Sequence, residues 1–445
     1  MSAVATGQVL AAYFRTRYGP GARTRTRPAL EAYQARAVER HLRRVLPRSP
    51  FYRAHFAGRA WHAAPPIDKR MMLANFDALN TVGARFGEAL ALAERAEATR
   101  DFAPTLRGGL TVGLSSGTSG TRGLFLVAQA ERAAWAGAAL ARVLPGGRLA
   151  AQRVAFFLRA NSNLYTSVQS RLIRFAYFDL LDPLPAHVAR LNAYQPSILV
   201  GPPSLLALLA GEACAGRLTI KPRKVVAVAE VLDPLDAGVI AAQFGRPVHQ
   251  VYQATEGFLG ATCDHGTLHL NEDLLVVQPD WLDQPAGKFA PIITDFHRMA
   301  QPILRYRLDD ILTLASAPCP CGSPRRALEA VEGRCDDIFY FPSAAGAGWV
   351  PVFPDFIRRA VLAAGPALAG YTATQTDPRR VALALAVASE HRAEAEAAIT
   401  AAVAALCARV GAVMPQLAFS SGGAPELSPR KFKRVARAMP APDSL

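Results

Sequence analysis

The chain has 445 residues, of which 51% are hydrophobic and 19% charged, and its 33 Gly and 33 Pro follow no regular period. This composition provides a large core and excludes a disordered or collagen-like chain, and the apolar runs are too short or interrupted to span a membrane. The 50 Lys and Arg against 35 Asp and Glu give a net charge of +15. Six cysteines are too few for a disulfide framework, and the start MSAVATGQVL lacks the basic region of a secretory signal, so we expect a reduced, cytoplasmic protein.

The positive charge is almost all arginine, since only six positions are lysine: Lys69, Lys221, Lys224, Lys288, Lys431 and Lys433. The densest arginine cluster, 15–27, is interleaved with Tyr, Gly, Pro and Thr, and no zinc-finger, helix-turn-helix or RNP-type motif accompanies it. We therefore expect no nucleic-acid partner. Two explanations of the positive charge remain open. One is a coding bias toward Arg and Ala. The other is an acidic partner such as a nucleotide, coenzyme A or an acidic carrier protein.

Helical periodicity begins at 28–60 and is punctuated by Pro47, Pro50 and the pair Pro65 and Pro66. Short β-rich runs then alternate with helical patterns. The predicted strands are 154–158, 197–200, 225–228 and 248–252, and the predicted helices are 131–144, 167–175, 186–194, 204–215 and 233–244. Such alternation predicts an α/β fold in which a mostly parallel sheet is flanked by helices.

The pattern changes after about residue 262. Strands follow one another at 268–270, 274–277, 290–294, 303–306 and 311–314, which predicts a β-rich subdomain. The last segment reads as strand, helix (354–362), two strands, helix (390–410) and a basic tail, which predicts a small α+β domain of its own. The predicted division is a large domain over 1–335 and a small C-terminal domain over 336–445.

A loop rich in Ser, Thr and Gly, SSGTSGTRG at 115–123, directly follows the apolar run 110–114. Glycines let the backbone approach a ligand closely, and hydroxyl and N–H groups in such a loop can hold phosphate oxygens. The loop lacks the Lys of a Walker-type phosphate loop. An ordinary Ser/Gly linker is the alternative.

Two further motifs stand at strand ends. In YQATE, 252–256, the carboxylate of Glu256 offers the hard oxygen ligands that Mg²⁺ prefers. The alternative is that Thr255 and Glu256 cap a helix. In PILRYRLDDI, 302–311, an Asp at the end of a strand could accept hydrogen bonds from both ribose hydroxyls, or could form a β-turn.

Two arginine-containing motifs follow. GRCDD, 333–337, lies between the large and small parts, and its Arg offers fixed donors for phosphate or ribose oxygens. SPRKFKR, 428–434, read alone is a solvated basic tail.

Taken in this order, the five segments resemble the motifs of the adenylate-forming superfamily of acyl, aryl and peptidyl-domain ligases, and most closely its phenylacetate–CoA-ligase-like branch. The match covers about 105–435. SSGTSGTRG is similar to the phosphate-loop motif, YQATE to Y-G-x-T-E, RYRLDDI to Y-R-T-G-D-I, and GRCDD to the G-R-x-D-D hinge. Ala229 and Glu230 stand where the family carries an adenine-contacting G-x-E segment.

The resemblance implies a role for each matching position. The phosphate loop and the YQATE segment would hold ATP through Ser115, Ser116, Gly117, Thr118, Ser119, Gly120, Tyr252, Gln253 and Thr255. Glu256 would bind Mg²⁺, Asp310 the ribose hydroxyls, and Arg334 the nucleotide. Asp336 would be the hinge about which a mobile small domain turns.

Lys431 matches the Lys of the C-terminal G-K-x-x-R element, which in this family assists the attack of the carboxylate on the α-phosphate. A cation that contacts both anions offsets their mutual repulsion, and a lysine on a flexible stem suits delivery by a mobile domain. The match departs from the family at Thr121-Arg122-Gly123 in place of G-K-P, at Leu308-Asp309 in place of T-G, and at Arg430 in place of Gly. The last departure leaves Lys433 as an alternative to Lys431.

Cysteine and histidine pairs predict a metal site. Cys319 and Cys321 in CPCG, with Cys263 and His265 in CDHGTLH, suit tetrahedral Zn²⁺, and the resemblance implies a structural zinc. His269 is the alternative to His265 as fourth ligand, and free buried thiols are the alternative to a metal site.

The segment FFLRANSNLY, 156–165, lies where this superfamily builds its acyl pocket. Phe157, Asn161, Asn163 and Tyr165 would suit a flat hydroxylated ring, although a strand and a polar loop are the alternative. The string also resembles a subgroup that accompanies aryl-polyene and xanthomonadin-type pigment synthesis, in which a hydroxybenzoate is passed to an acyl carrier protein.

The resulting hypothesis is an ATP- and Mg²⁺-dependent acid–thiol ligase that adenylates an aromatic acid and transfers the acyl group to a carrier protein. Free coenzyme A as acceptor, a non-thiol acceptor, and an inactive nucleotide-binding scaffold are the alternatives.

Overall fold

The computed structural model describes residues 3–115, 122–147, 149–158, 173–426 and 431–442. Helices come first, then alternate with strands between about residues 111 and 254, and strands alone follow up to residue 334. The helices are α1 Ala3–Tyr18, α2 Arg27–Val45, α3 Pro50–His55, α4 Lys69–Ala74, α5 Phe76–Leu79, α6 Phe86–Thr99, α7 Gln129–Val143, α8 Leu184–Tyr194, α9 Pro203–Cys214, α10 Pro234–Phe244, α11 Pro354–Leu362 and α12 Arg392–Val410. Short 3₁₀ turns lie at Gly21–Arg23, Trp61–Ala63, Pro145–Gly147, Cys335–Asp337 and Ser389–His391. Among the helices so described, none is long and apolar enough to cross a membrane.

The strands are β1 Thr111–Leu114, β2 Leu124–Val127, β3 Gln152–Leu158, β4 Ile173–Asp179, β5 Ile198–Gly201, β6 Lys224–Ala227, β7 Val248–Ala254, β8 Gly257–Thr262, β9 Leu268–Leu270, β10 Leu275–Asp283, β11 Lys288–Asp295, β12 Ile303–Arg307, β13 Asp310–Leu314, β14 Ala327–Arg334, β15 Phe339–Pro342, β16 Trp349–Val352, β17 Gly370–Asp377, β18 Arg380–Ala386, β19 Gln416–Ser421 and β20 Val435–Arg437.

Five strands form the predicted parallel sheet, in the order β4-β3-β5-β6-β7. Helices α8, α9 and α10 cover one face through a cluster that includes Leu199 and Val225, and α1 and α7 cover the other over Val200 and Val226. Both faces are therefore apolar, which explains why β5 and β6 read as continuous hydrophobic runs.

The close packing of α1 on α7 depends on Gly137. A Cβ at this position would lie 2.4 Å from the Val9 carbonyl oxygen and 2.6 Å from Ala12 Cβ, so the absence of a side chain lets the two helices approach.

The β-rich part continues the same sheet. Strand β7 turns directly into antiparallel β8, and β9, β14, β13, β11 and β10 follow, with β12 paired to β11. The sequence predicts this part as a subdomain; in the structure it extends the parallel sheet around a second core that includes Leu259, Phe289 and Tyr306.

The C-terminal part has its own core. Strands β17–β20 form a four-stranded sheet in the order β19-β18-β17-β20, and α11, α12 and the β15–β16 hairpin pack with it around Phe339, Tyr371 and Ile399. The predicted α/β fold with a small α+β C-terminal part is therefore confirmed. The 3₁₀ turn Cys335–Asp337 lies between β14 and β15, at the predicted position of the hinge.

Three local predictions differ from the structure. The predicted helix 28–60 is interrupted, because Ser49 and Pro50 begin a separate helix, in which the Ser49 hydroxyl accepts from Tyr52 N at 3.3 Å. The predicted helix 167–175 is wrong at its end, since 173–175 belong to β4, and its earlier residues lie outside the described chain. Helix α1 has no strong amphipathic pattern and was not predicted.

Candidate functional site

A cavity of about 790 Å³ lies at the carboxyl ends of β5, β6 and β7 and extends along α7. Many of the sequence-predicted site residues line it: Ser115, Ala229, Glu230, Tyr252, Gln253, Thr255, Glu256, Asp310, Arg334 and Lys431. They come from six separate segments of the chain. A parallel sheet brings such segments together because the loops that follow its strands share one edge.

Two carboxylates, Glu256 and Asp310, lie in this cavity beside hydroxyl groups. Tyr252 donates to Asp310 Oδ2 at 2.7 Å, Thr255 donates to Glu256 Oε2 at 3.1 Å, and Tyr306 also donates to Glu256. Burial raises the pKa of both carboxyl groups, and the charge of Asp310 raises the pKa of Glu256 further. Carboxylate and hydroxyl oxygens are the donor set that suits Mg²⁺ bridging to phosphates, so the residues present fit that ion.

The two candidate lysines differ in their partners. Lys433 Nζ lies 2.9 Å from both carboxylate oxygens of Asp337, at the junction with the small part. Lys431 is exposed and lines the cavity, and its charge, with that of Arg334, works against burial to lower the pKa of Asp310. Both lysines line the cavity. Lys433 is held at the Asp337 carboxylate, and the charge of Lys431 acts on Asp310.

The segment after β6 adopts an unusual backbone. Ala229 has φ of 68°, in the left-handed region that a residue with a Cβ rarely adopts. Glu230 accepts a hydrogen bond from the Ser204 hydroxyl at 2.7 Å and another from Phe432 N at 3.1 Å. The second bond connects the adenine-side segment to the lysine-bearing segment.

The base of the phosphate loop is held by β1 and β2. Ser115 exchanges hydrogen bonds with Gly123, through Ser115 N to Gly123 O at 2.8 Å and Gly123 N to Ser115 Oγ at 2.7 Å. Arg122 stands where the phosphate-loop motif that this segment resembles commonly has Lys; it forms an ion pair with Glu97 and donates to Ser115 O at 3.0 Å. Its charge is thus used to close the loop base. Ser116, Gly117, Thr118, Ser119 and Gly120 lie outside the described residues.

The apolar end of the cavity corrects one prediction. Phe157 is fully buried under α8 and α9, where it stacks on Phe178, and does not line the cavity. Side chains alternate along a strand, so Phe156 lines the cavity instead. Trp135 Nε1 donates to Gln253 Oε1 at 3.2 Å on the opposite wall. Asn161, Asn163 and Tyr165 lie outside the described residues.

The GRCDD segment connects the cavity to the small part. Arg334 donates to Asp309 Oδ2 at 3.2 Å and lines the cavity, while Asp337 binds Lys433. Asp336 Oδ2 is buried and has no hydrogen-bond partner within the described chain.

The cysteine cluster forms with a different histidine from the one first expected. Cys263, His269, Cys319 and Cys321 place four ligand atoms within 4.8 Å of one another, whereas His265 is exposed and outside the group. The register explains the correction, because β9 turns the His269 side chain inward and its Nδ1 contacts Arg325 O at 3.1 Å.

The spacing of these atoms suits a metal. Cys263 and Cys319 Sγ lie 3.7 Å apart, close to the edge of about 3.8 Å expected for tetrahedral Zn²⁺ with bonds of about 2.3 Å to sulfur. Cys321 Sγ lies 3.4 Å from His269 Nε2. The residues fit a zinc ion, and none of the four lines the large cavity.

Sequence reasoning missed four residues that position the site: Tyr306, Ser204, Asp337 and Trp135. Tyr306 lies in the motif RYRLDDI and Asp337 in GRCDD, so the motif around each residue was the sequence signal that could have found it. Ser204 begins a helix after β5, and its contact with Glu230 depends on the pairing of β5 with β6. Trp135 carries no sequence signal of its contact with Gln253.

Comparison of the sequence with protein families and with curated proteins finds no match. Among solved structures, the chain is similar to 2-hydroxyisobutyryl-CoA ligase in the postadenylation state in complex with 2-HIB-AMP, at 17% identity and a TM-score of 0.67, over 95% of this chain and 94% of that one. Against the same ligase with 2-HIB-AMP and CoA in the thioesterification state, the identity is 17% and the TM-score 0.53, over 92% and 89%. Against the acyl acid amido synthetase GH3.15, the identity is 12% and the TM-score 0.56, over 88% of this chain and 86% of that one. The chain therefore has the fold of adenylate-forming ligases.

Proposed function

We propose that this protein uses ATP to activate a carboxylic acid as an acyl-adenylate and then transfers the acyl group to a thiol. The observation that carries the proposal is the meeting of Lys431 with Glu256 and Asp310 at one edge of the sheet, from three distant segments. A cation and two carboxylates at the carboxyl ends of parallel strands suit a nucleotide with its phosphates directed at the lysine.

In this proposal the chain's own groups hold the nucleotide. Asp310 accepts from the ribose hydroxyls, Arg334 and Glu230 lie along the nucleoside, and Thr255 with the loop 115–120 binds phosphate oxygens. Mg²⁺, held by Glu256, would neutralise phosphate charge when bound.

The chemical step joins two anions. An oxygen of the substrate carboxylate forms a bond to the α-phosphorus while the bond from that phosphorus to the pyrophosphate oxygen breaks. Lys431 lowers the repulsion between carboxylate and phosphate and stabilises the charge that develops in the transition state. No proton transfer is required of Lys431 in this step.

The proposed acid is aromatic and hydroxybenzoate-like. Phe156, Phe175 and Trp135 offer flat apolar surface in the cavity, and Gln253 offers a polar group beside the indole. The Asn161, Asn163 and Tyr165 side chains remain predicted contributors.

The proposed acceptor is the phosphopantetheine thiol of an acyl carrier protein. The small part would turn at Asp336 so that the thiol reaches the adenylate. The sulfur would lose its proton to solvent and bond to the acyl carbon, while the bond from that carbon to the AMP oxygen breaks and AMP leaves. The net charge of +15 favours an acidic carrier. Free coenzyme A carries the same pantetheine arm and is the alternative thiol. An amine acceptor is a second candidate, favoured by the similarity to the amido synthetase GH3.15.

Pyrophosphate release with a panel of benzoates tests the proposal. We expect release that depends on the acid, with thioester formed when carrier protein is added. Release followed by transfer to coenzyme A or to an amine would assign another acceptor. Absence of release with every acid and every acceptor contradicts the ligase hypothesis.

A further inference from the structure

Five buried side chains connect the large part of the molecule to the segment that carries Lys431. Asp233 and Asp236 belong to the start of α10 in the large part, whereas Arg358, Tyr371 and Arg434 belong to α11, β17 and the lysine segment. Each is at most 8% exposed. We refer to these five residues as the clasp.

Arg434 makes the most contacts in the clasp. Its Nε donates to Asp236 Oδ2 at 3.1 Å and a second guanidinium nitrogen binds Asp236 Oδ1, so the pair is bidentate. Its third nitrogen donates to the Tyr371 carbonyl at 3.1 Å, and its Nε lies 3.9 Å from Asp233 Oδ2. The guanidinium carbon also lies 5.0 Å from the centre of the Tyr371 ring.

Asp233 provides a second connection. Tyr371 donates to Asp233 Oδ2 at 2.8 Å, and Arg358 Nε lies 3.2 Å from the same oxygen. The other oxygen, Oδ1, accepts from Leu235 N at 2.9 Å and caps α10. One carboxylate therefore fixes the start of α10 and at the same time binds the small part.

The clasp acts close to the proposed catalytic lysine. Arg434 follows Lys431 by three residues and directly precedes β20, which pairs with β17. Between them, Phe432 N donates to Glu230, which lies in the large part. A displacement of Arg434 from Asp236 would therefore carry Lys431 with it.

The energetics make the clasp a two-state element. A buried Arg–Asp pair is costly to break when either partner stays buried and unpaired, but both partners regain hydration if the two surfaces separate. The clasp thus favours either the closed arrangement described above or a fully separated one, and disfavours intermediate positions.

We propose that Arg434 is a positioning residue whose ion pair with Asp236 holds Lys431 in the cavity for adenylation and must separate before acyl transfer. This proposal rests on the proposed function and adds to it which contact sets the balance between the two half-reactions. The TM-score is higher against the postadenylation structure, 0.67, than against the thioesterification structure of the same ligase, 0.53, in keeping with an arrangement that precedes acyl transfer.

The test separates the two half-reactions in the full-length protein. Asp236→Asn is the main variant, because the side chain keeps its shape and Arg434 keeps its contacts with the Tyr371 carbonyl and with Asp233. We expect acyl-adenylate formation to slow by about 10- to 100-fold, while thioester formation from supplied acyl-adenylate changes by less than about threefold. Arg434→Lys, which keeps the charge but loses the bidentate geometry, should give an intermediate loss of adenylation.

Asp273→Asn is the matched control. Asp273 is also a buried carboxylate bound by an arginine, Arg142, but both residues belong to the large part. We expect this variant to lower the stability of the protein without separating the two half-reactions.

Hydrogen exchange of 431–437 gives a readout that does not depend on catalysis. We expect faster exchange in Asp236→Asn than in the parent protein or in Asp273→Asn. Equal losses in both half-reactions, or unchanged exchange in a variant that adenylates slowly, would overturn the proposal. If the parent protein adenylates no acid, the proposed function fails, and the exchange measurement alone decides whether the clasp holds the lysine segment.

Discussion

Two pairs of acids in the large part of the molecule have different surroundings. Glu256 and Asp310 in the cavity receive hydrogen bonds from tyrosine and threonine hydroxyls, and burial raises the pKa of both. Asp233 and Asp236 in the clasp are bound directly by arginines of the small part. Under the proposed function the first pair binds Mg²⁺ and the ribose hydroxyls, whereas the second pair is bound by arginines of the chain itself.

The same contrast separates the two lysines of the C-terminal motif. Lys433 is paired with Asp337, as the clasp acids are with arginine, whereas the charge of Lys431 acts on Asp310 in the cavity. Under the proposed function, Lys431, Glu256 and Asp310 act on the substrates, whereas Lys433 and the clasp acids lie where the large and small parts meet.

The largest effect on acyl-adenylate formation should come from replacing one of these two lysines with alanine, each in a separate variant. We expect Lys431→Ala to slow acyl-adenylate formation by about 10²- to 10³-fold, because it removes the cation that meets the developing charge. Lys433→Ala removes a lysine that is 30% exposed and pairs with the buried Asp337, and it should slow acyl-adenylate formation only roughly threefold. Pyrophosphate release under saturating acid measures both.

Lys221→Ala is the control for the loss of one positive charge, since Lys221 is exposed and lies in a different cavity, beside the amino ends of β3 and β5. A greater loss in Lys433→Ala than in Lys431→Ala would reverse the assignment of the catalytic lysine.

The fold was predictable where local patterns and tertiary contacts agree. Strands β5, β6 and β7 and helices α8 to α10 alternate with clear apolar runs, so the parallel sheet follows from the sequence. The continuation of that sheet through β8 does not, because the turn from β7 to β8 is made by Thr255 and Glu256, which read equally well as a helix cap. The unpredicted helix α1 is held by Gly137 on its neighbour rather than by its own pattern.

The site was predictable through its motifs but not through its side-chain directions. A one-residue shift along β3 exchanges Phe157 for Phe156, and only the paired neighbours of β3 decide which faces the cavity. His265 and His269 flank the same turn, and only the pairing of β9 with β14 selects His269. The structure explains one residue of the arginine cluster 15–27, because Arg27 forms an ion pair with the buried Glu272 at 2.6 Å.

A smaller effect should come from the cysteine cluster, which extends the comparison to a predicted metal site whose cation would stabilise the fold. We expect Cys321→Ser to lose bound zinc and to lower the free energy of unfolding by about 2 kcal/mol, because the metal joins β8, β9 and the segment before β14. Elemental analysis and denaturant unfolding measure the two quantities. His265→Ala should change neither, and a zinc content near zero in the parent protein would remove the assignment.

The smallest effect tests whether Glu256 is uncompensated in the ligand-free protein. Its pKa is raised by burial, so between the ordinary glutamate value of about 4.3 and the raised value the folded state holds a proton that the unfolded state has released. Stability therefore falls as pH rises through that window, and Glu256→Gln removes this loss. We expect the variant to be more stable than the parent at pH 7 and equal to it near pH 4, although its adenylation is abolished.

Thermal or denaturant unfolding at both pH values, without nucleotide or Mg²⁺, measures this difference. Asp236→Asn is the matched comparison. The pKa of Asp236 is also raised by burial, but Arg434 opposes the shift, and the substitution leaves that arginine buried with a neutral partner. It should therefore destabilise the protein at pH 7, where Glu256→Gln stabilises it. If both substitutions change the stability in the same direction, the division into ligand-compensated and internally compensated acids is wrong, and the raised pKa of Glu256 reflects burial without preparation for a cation.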